Sequence, residues 1–480
     1  MLATIKDKRE EVFFSDVEGL MPKDHLLRKI EKVMDYQWLH DRLSPYYCHD
    51  NGRPGADPVV LVKMVLIQHL FGLPSLRRTH EEIEVNIAYR WFIGYDLLEK
   101  IPHFATVSYA FCKRFPPELS EEIFEHILNK ALNHRMIDPS TVFVDGTHIK
   151  ASANKKKRQK EMVAKAAKIY DEQLRNEVNA DRQAMGKKPF EDDDNDNPPQ
   201  MVERTTSITD PESGVFRKGE HKTEFAYEAH TICDGNGFVL GVEVTAGNVH
   251  DSVAFDSVYE TVTERFPEVE VIAADSAYKT PWICKRITDD GRIPSMPYSR
   301  TGNRNEGFYR PWEYTHDLIT DEVICPMGHR LRHSTTDRDG KRHYISNRAE
   351  CRNCHNIHRC TRNATGQKTI QRHIWAEYLD IAEAIRKTEL GRSTYAQRGQ
   401  TIERVFADAK EKHAMRYTHH RGLARVTNWV RLKYAAMNLK KLANWAWNSP
   451  LLLRLFALYF PNPVYFVPLA FLCKGFFDRL

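Results

Sequence analysis

The sequence predicts an α/β protein: a mixed sheet flanked by helices, with an all-α N-terminal domain and a small cysteine-rich insertion. Three observations predict it. From Asp24 to about Met136 apolar residues recur at helical spacing. Two short apolar runs, within Thr141–Lys150 and Glu270–Tyr278, each lead into an aspartate, Asp145 and Asp275, as buried strands do when they deliver an acid to a sheet edge. Four of the nine cysteines crowd into one stretch between Pro297 and Lys387. The expected boundaries are therefore a helical domain at 1–136 and a first core segment at 137–297, which carries a charged helical insertion at about 155–200. The cysteine insertion follows at 298–387, a second core segment at 388–447 and an apolar tail at 448–480.

In the helical part, Leu26, Leu27, Ile30, Val33 and Met34 form one stripe. Asp57 as cap with Pro58 at the first helical position opens a second helix, which Gly72 closes. Thr79 with Glu82 reads as a capping box for a third, and Thr106–Phe115 and Ser120–His134 give two more. The basic residues Arg77, Arg78, Arg90, Lys113 and Arg114 fit either a helix-turn-helix unit meeting DNA or a plain bundle with solvated cations.

In the core, the Asp145 strand is followed by Phe225–Cys233 and Phe238–Thr245, a hairpin around Asp234-Gly-Asn-Gly237. A helix over 251–266 and the Asp275 strand come next. Strand, strand, strand, helix, strand, with carboxylates on the first and fourth strands and another on a later helix, is the succession of a ribonuclease-H-like core. His250 stands where it would cap the helix or touch DNA, and capping is preferred. The basic run Lys155–Lys160 reads as helical and the acidic run Glu191–Asp196 as a flexible linker.

The later helix follows Gly399. Ile402, Val405, Phe406 and Ala409 make its buried stripe, with Glu403 at the edge and Lys410 two turns along. Alone, such a Glu and Lys are an ordinary surface ion pair. Together with Asp145 and Asp275, Glu403 makes a third carboxylate, and three gathered carboxylates repel unless cations intervene. Hard oxygen donors select Mg²⁺ or Mn²⁺, and two ions about 4 Å apart clamp the oxygens of an in-line phosphoryl displacement. The basic approach through Arg416 and Arg421 is a candidate DNA track, leading to a helix with Val426, Trp429, Val430, Leu439 and Leu442 as its apolar face.

Cys325, Cys351, Cys354 and Cys360 match a tetrahedral thiolate zinc site stapling an insertion that lacks its own core, with His329, His355 or His358 able to replace one ligand. The alternative is a reduced, metal-free hairpin. The net charge of +5 and pI near 8.5 are compatible with a polyanionic partner without establishing one. The start has charges where a signal peptide needs an apolar core, and the scattered cysteines read as reduced thiols, so a cytoplasmic protein is expected. The tail, broken by Arg454, Pro461, Pro463 and Pro468, argues against a membrane anchor and for docking or dimer packing.

Asp145, Asp275 with Tyr278, and the series Tyr395, Arg398, Glu403, Lys410 resemble the DDE transposases of bacterial insertion sequences, in the branch with a Tyr-Arg-Glu-Lys signature. Gly247–Asp251 and Phe406–Lys410 are similar to that family too, and the resemblance runs from Leu26 to about Trp445. One departure is that four residues, rather than three, separate Arg398 from Glu403. The resemblance implies that Asp145, Asp275 and Glu403 hold two Mg²⁺ or Mn²⁺ ions, cut double-stranded DNA at the element's terminal repeats and join the 3′-hydroxyl to target DNA. It implies that the helical domain at 1–136 binds DNA at the element's ends, DNA contacts at Lys410, Arg398, Tyr395 and Tyr278, and a homodimer or larger assembly on DNA. The competing readings are a nuclease on the same core that cuts without joining, a domesticated DNA-binding protein, and a zinc-stapled regulatory module.

Overall fold

A computed structural model describes residues 14–48, 55–164, 170–190, 201–218, 222–298 and 307–459. The chain forms two compact units. One holds 1–136 with 412–414 and 431–480; the other holds 137–411 with 415–430.

The first unit is helical. Its central helix, Pro58–Leu70, is buried around nearly its whole circumference, which is why its sequence shows apolar residues without a polar face. Asp57 caps it, accepting from the Val59 amide at 2.8 Å, and Gly72 ends it at φ +64°, where an added Cβ would strike the Lys412 carbonyl. The helix Leu26–Val33 buries Leu27 and Ile30. The next expectation needs correcting. The helix Leu76–Val85 is capped by Ser75, whose hydroxyl takes the Arg78 amide at 3.2 Å; Thr79 lies one turn inside, buried, donating to the Ser75 carbonyl. Arg90 is not a surface cation either. It is buried and donates to the carbonyls of Glu84, Asp96 and Glu99, tying a loop. The helix Phe104–Tyr109 runs into a π turn over Ala110–Arg114, and Leu119–Asn133 closes the series.

The second unit is built on a six-stranded mixed sheet. In chain order its strands, with a separate ribbon, are β1 (Thr141–Lys150), the ribbon β2 (Arg158–Ala164) and β3 (Met201–Ser207), β4 (Gly214–Lys218), β5 (Lys222–Asp234), β6 (Val239–Ala246), β7 (Val271–Ala274) and β8 (Ile293–Ser295). β5 lies antiparallel to β1 on one side and carries β4 and β6 on the other. β7 pairs with β1 in parallel, and β8 with β7. All four residues of β7 are buried, matching its unbroken apolar sequence. The expected hairpin is β5–β6. The helix Asp251–Arg265 is capped by His250, whose Nδ1 accepts from the Ser252 amide at 3.2 Å.

The basic run was expected to be helical, and this is corrected. From Arg158 it is strand β2, paired with β3 from Arg158↔Ser207 to Ala164↔Met201, with Lys160 ion-paired to Glu203 at 2.9 Å. A strand partner some 40 residues on overrides the local charge pattern. The helix of this segment is Asp171–Ala184. The acidic run 191–196 lies outside the described residues.

The insertion is a separate five-stranded antiparallel sheet: β9 (Thr315–Asp317), β10 (Glu322–Ile324), β11 (Arg330–Thr336), β12 (Lys341–Ser346) and β13 (Thr369–His373), paired in the order β13-β12-β11-β10-β9. Its buried cluster is Val323, Leu331 and Tyr344. The helix Leu423–Tyr459 buries Val426, Trp429, Val430, Leu439 and Leu442, as its spacing predicts. No described helix is long and apolar enough to cross a membrane; the tail beyond residue 459 lies outside the described residues.

Candidate active site

Parallel pairing sets the first two acids side by side. β1 and β7 run in register from Thr141↔Val271 to Val144↔Ala274, so Asp145 and Asp275 follow as neighbours on adjacent strands about 5 Å apart. Residues in register share a face, so the pairing carried one residue further puts Asp145 and Asp275 on one face of the sheet where β7 ends. Asp145 accepts from the Gly146 amide at 2.9 Å, and Asp275 caps the single turn Ser276–Tyr278, accepting from the Ser276 amide.

The third acid arrives on the helix Ile402–Glu411, whose buried residues are Ile402, Val405, Phe406 and Ala409. Burying that stripe leaves Glu403 at the first turn, 61% exposed. Between it and the sheet stands Arg398, whose side chain is only 8% exposed. Its Nη2 lies 2.5 Å from Asp145 Oδ2 and its Nη1 3.9 Å from Glu403 Oε1. The first contact is an ion pair rather than a well-directed hydrogen bond, and the buried Nε has no acceptor among the described residues. One guanidinium therefore spans two of the three acids and offsets their repulsion.

Beneath the acids the sheet is polar but closed. His230, one residue along β5 from the partner of Asp145, receives or gives hydrogen bonds to Thr245 Oγ1 at 2.9 Å and Tyr278 at 3.3 Å. Burial, and then the nearby His148 ring, pushes His230 down to about 4, so it is neutral at ordinary pH.

Two parts of the chain match known domain families. Residues 324–443 match the Transposase DDE domain, and residues 15–113 match a Transposase domain (DUF772). Both matches support the resemblance to DDE transposases of insertion-sequence type. The matched stretches include Glu403, Arg398 and the four clustered cysteines; Asp145 and Asp275 fall between them. No curated protein and no solved structure matches the chain.

The remaining candidates for DNA contact divide. Tyr278 is fully buried, with its hydroxyl at His230 and its ring near Phe255, so it supports the sheet and does not face DNA. Arg398 is likewise corrected: its charge points at Asp145, not at solvent. Tyr395, on the helix Glu389–Gln397, and Lys410 are half-buried. Arg416 and Arg421 are exposed; Arg416 pairs with Glu411, and Arg421 donates to the Ser152 carbonyl at 2.9 Å. Their segment is strapped to the end of β1, through Lys150 N to Arg416 O and Thr418 N to Lys150 O. That places it about 17 Å along the strand from Asp145.

Among the described residues no three His, Cys, Asp or Glu side chains are gathered closely enough to hold a metal ion. The donor sets nevertheless suit the metals expected. Where β7 ends the acids offer hard oxygens beside a single guanidinium that offsets only part of their charge. In the insertion, Cys325, Cys351, Cys354 and Cys360 line one small cavity together with His329. Tight turns present them: Gly328 N donates to Cys325 O, and Cys354 N to Cys351 O. Burial, with added repulsion from Cys360, Cys325 and Cys354, holds the Cys351 thiol above its usual range, so thiolates here call for a cation. Sequence reasoning missed the spanning position of Arg398. The signal available was the extra residue before Glu403, which lengthens the turn carrying it.

Proposed function

We propose that the transposase cleaves DNA at element ends and transfers the freed 3′-hydroxyl into target DNA at the β1–β7 edge. The parallel register that brings Asp145 beside Asp275, with Arg398 reaching from Asp145 to Glu403, carries this reading. The sheet order β6-β5-β1-β7-β8, with three antiparallel and then parallel strands, supports a ribonuclease-H-like core.

Asp145, Asp275 and Glu403 would hold two Mg²⁺ or Mn²⁺ ions, which when bound supply the charge that activates water or a 3′-hydroxyl and stabilises the leaving oxygen. The chain's own groups prepare the cleft. Arg398 holds Asp145 in place and spares it from Glu403. Tyr278 and His230 fix the floor beneath. Lys410, two turns past Glu403, steadies a phosphate at the mouth, Tyr395 flanks it, and Arg416 and Arg421 follow the duplex beyond. The four cysteines hold one structural zinc, and two copies of the chain work together on paired ends.

The test is purified protein with a labelled element end, a target duplex and Mg²⁺, watched for nicking and then joining. Asp145→Ala, Asp275→Ala and Glu403→Ala are each expected to slow cleavage roughly a hundred- to a thousandfold while leaving end binding intact. Wild-type cleavage by any one of the three removes that residue from the site. Nicking that never proceeds to joining replaces the transposition reading with a nuclease.

A further inference from the structure

The insertion distributes its charge unevenly. Between residues 307 and 375 the chain has twelve Lys or Arg against seven Asp or Glu, an excess equal to the net charge of the whole protein. On the sheet the arginines are matched: Arg330 with Glu322 at 2.7 Å, Arg332 with Glu322 at 3.3 Å, Arg342 with Asp181 at 2.5 Å, and Arg372 with Asp380. Around the cysteine turns they are not. Arg348, Arg352, Arg359 and Arg362 have no carboxylate within ion-pairing distance among the described residues.

Two of these unmatched arginines are nonetheless held. The Arg359 guanidinium lies 4.7 Å from the centre of the Tyr309 ring and Arg362 5.1 Å from that of Phe308, while Lys368 sits 5.7 Å from Tyr314. Both arginines are exposed. A guanidinium over an aromatic face loses freedom but keeps its charge, and its N–H edge stays open for a bidentate acceptor. That edge matches a phosphate diester. Tyr309 and Lys368 also line a cleft of about 450 Å³ with His316 and with Arg372, the latter matched by Asp380.

We propose that this face of the insertion grips the DNA backbone, Arg359 and Arg362 each taking a phosphate. The identity of the polyanion rests on the transposase reading; the site itself rests on the unmatched charge and its aromatic supports. It lies apart from the acids and from the Arg416–Arg421 track in the residues it uses, and it positions DNA without reading its sequence.

The test measures binding of a labelled duplex to full-length protein by fluorescence anisotropy across a salt series, with EDTA present so that no cutting occurs. Arg359→Gln/Arg362→Gln should lower the slope of log affinity against log salt by about two, with a roughly tenfold or greater loss of affinity near 0.1 M salt. Arg330→Gln/Arg332→Gln, which removes matched arginines, should leave both nearly unchanged. Arg359→Lys/Arg362→Lys, which keeps the charge should the glutamine pair disturb folding, should retain most of the slope. A wild-type slope in the glutamine pair, or an equal loss in the matched pair, overturns the proposal. Because binding is read without divalent cation, a protein that binds this way but never cuts defeats only the catalytic reading. One that cuts while the glutamine pair binds as wild type defeats only this one.

Discussion

The two sheets of the second unit are held by different means. The six-stranded sheet buries Val142, Phe143 and Val144 on β1, all of β7 and most of β5 beneath the helices Asp251–Arg265 and Pro281–Asp289. The five-stranded sheet of the insertion has a buried cluster of three residues, and four thiols stand where more apolar side chains would otherwise be needed. A large core can carry charged groups at its edge without coming apart. A small one needs covalent or metal support, because apolar burial grows faster than chain length. Two of the three acids are accordingly delivered by the strands of the first sheet, and the arginine-rich face by the insertion that carries the second.

Replacing a core side chain should bring out this difference most strongly. Phe143→Ala is expected to cost about 3–5 kcal/mol in chemical denaturation, because the ring leaves a cavity next to β7. Chelation of metal from the wild type should instead open 315–373 to protease while the main transition stays put. A shared loss of both sheets on chelation breaks the contrast.

The next effect belongs to Arg398. Arg398→Gln leaves Asp145 without its counter-charge and should cost about 3 kcal/mol in EDTA. Added Mn²⁺ should recover a large part of that loss, since a bound cation takes over the neutralisation; a deficit blind to Mn²⁺ separates Asp145 from any metal.

Of similar or smaller size is the pH dependence of the first sheet. His230 is neutral and buried, so unfolding takes up a proton wherever the free imidazole is charged. Stability is full above about pH 6.5 and falls as pH drops toward about 4, by up to about 3 kcal/mol. His230→Asn should flatten that part of the profile in thermal melts. An unchanged slope assigns the acid sensitivity elsewhere.

Where the chain pattern is repetitive and local, the sequence was enough. The stripe Ile402, Val405, Phe406, Ala409, the Asp57–Pro58 cap and the β5–β6 hairpin follow from spacing and turn chemistry alone. β2 was misread because its partner lies beyond the Asp171–Ala184 helix, and nothing near Arg158 announces it. Side-chain direction was harder still. Tyr278 and Arg398 carry groups that ordinarily meet solvent or ligand, and only the packing of β5, β1 and the Arg398–Gln400 turn turns them inward. For Asp145 and Asp275 the strands were legible as single elements, while their adjacency depends on a parallel pairing that a sequence does not display.

The guanidinium lodged among the acids has a practical consequence. A pocket furnished with its own resident cation can finish folding in a medium stripped of magnesium. The acid cluster then needs no ion to complete its own scaffold, and ions bound there would mark the start of work.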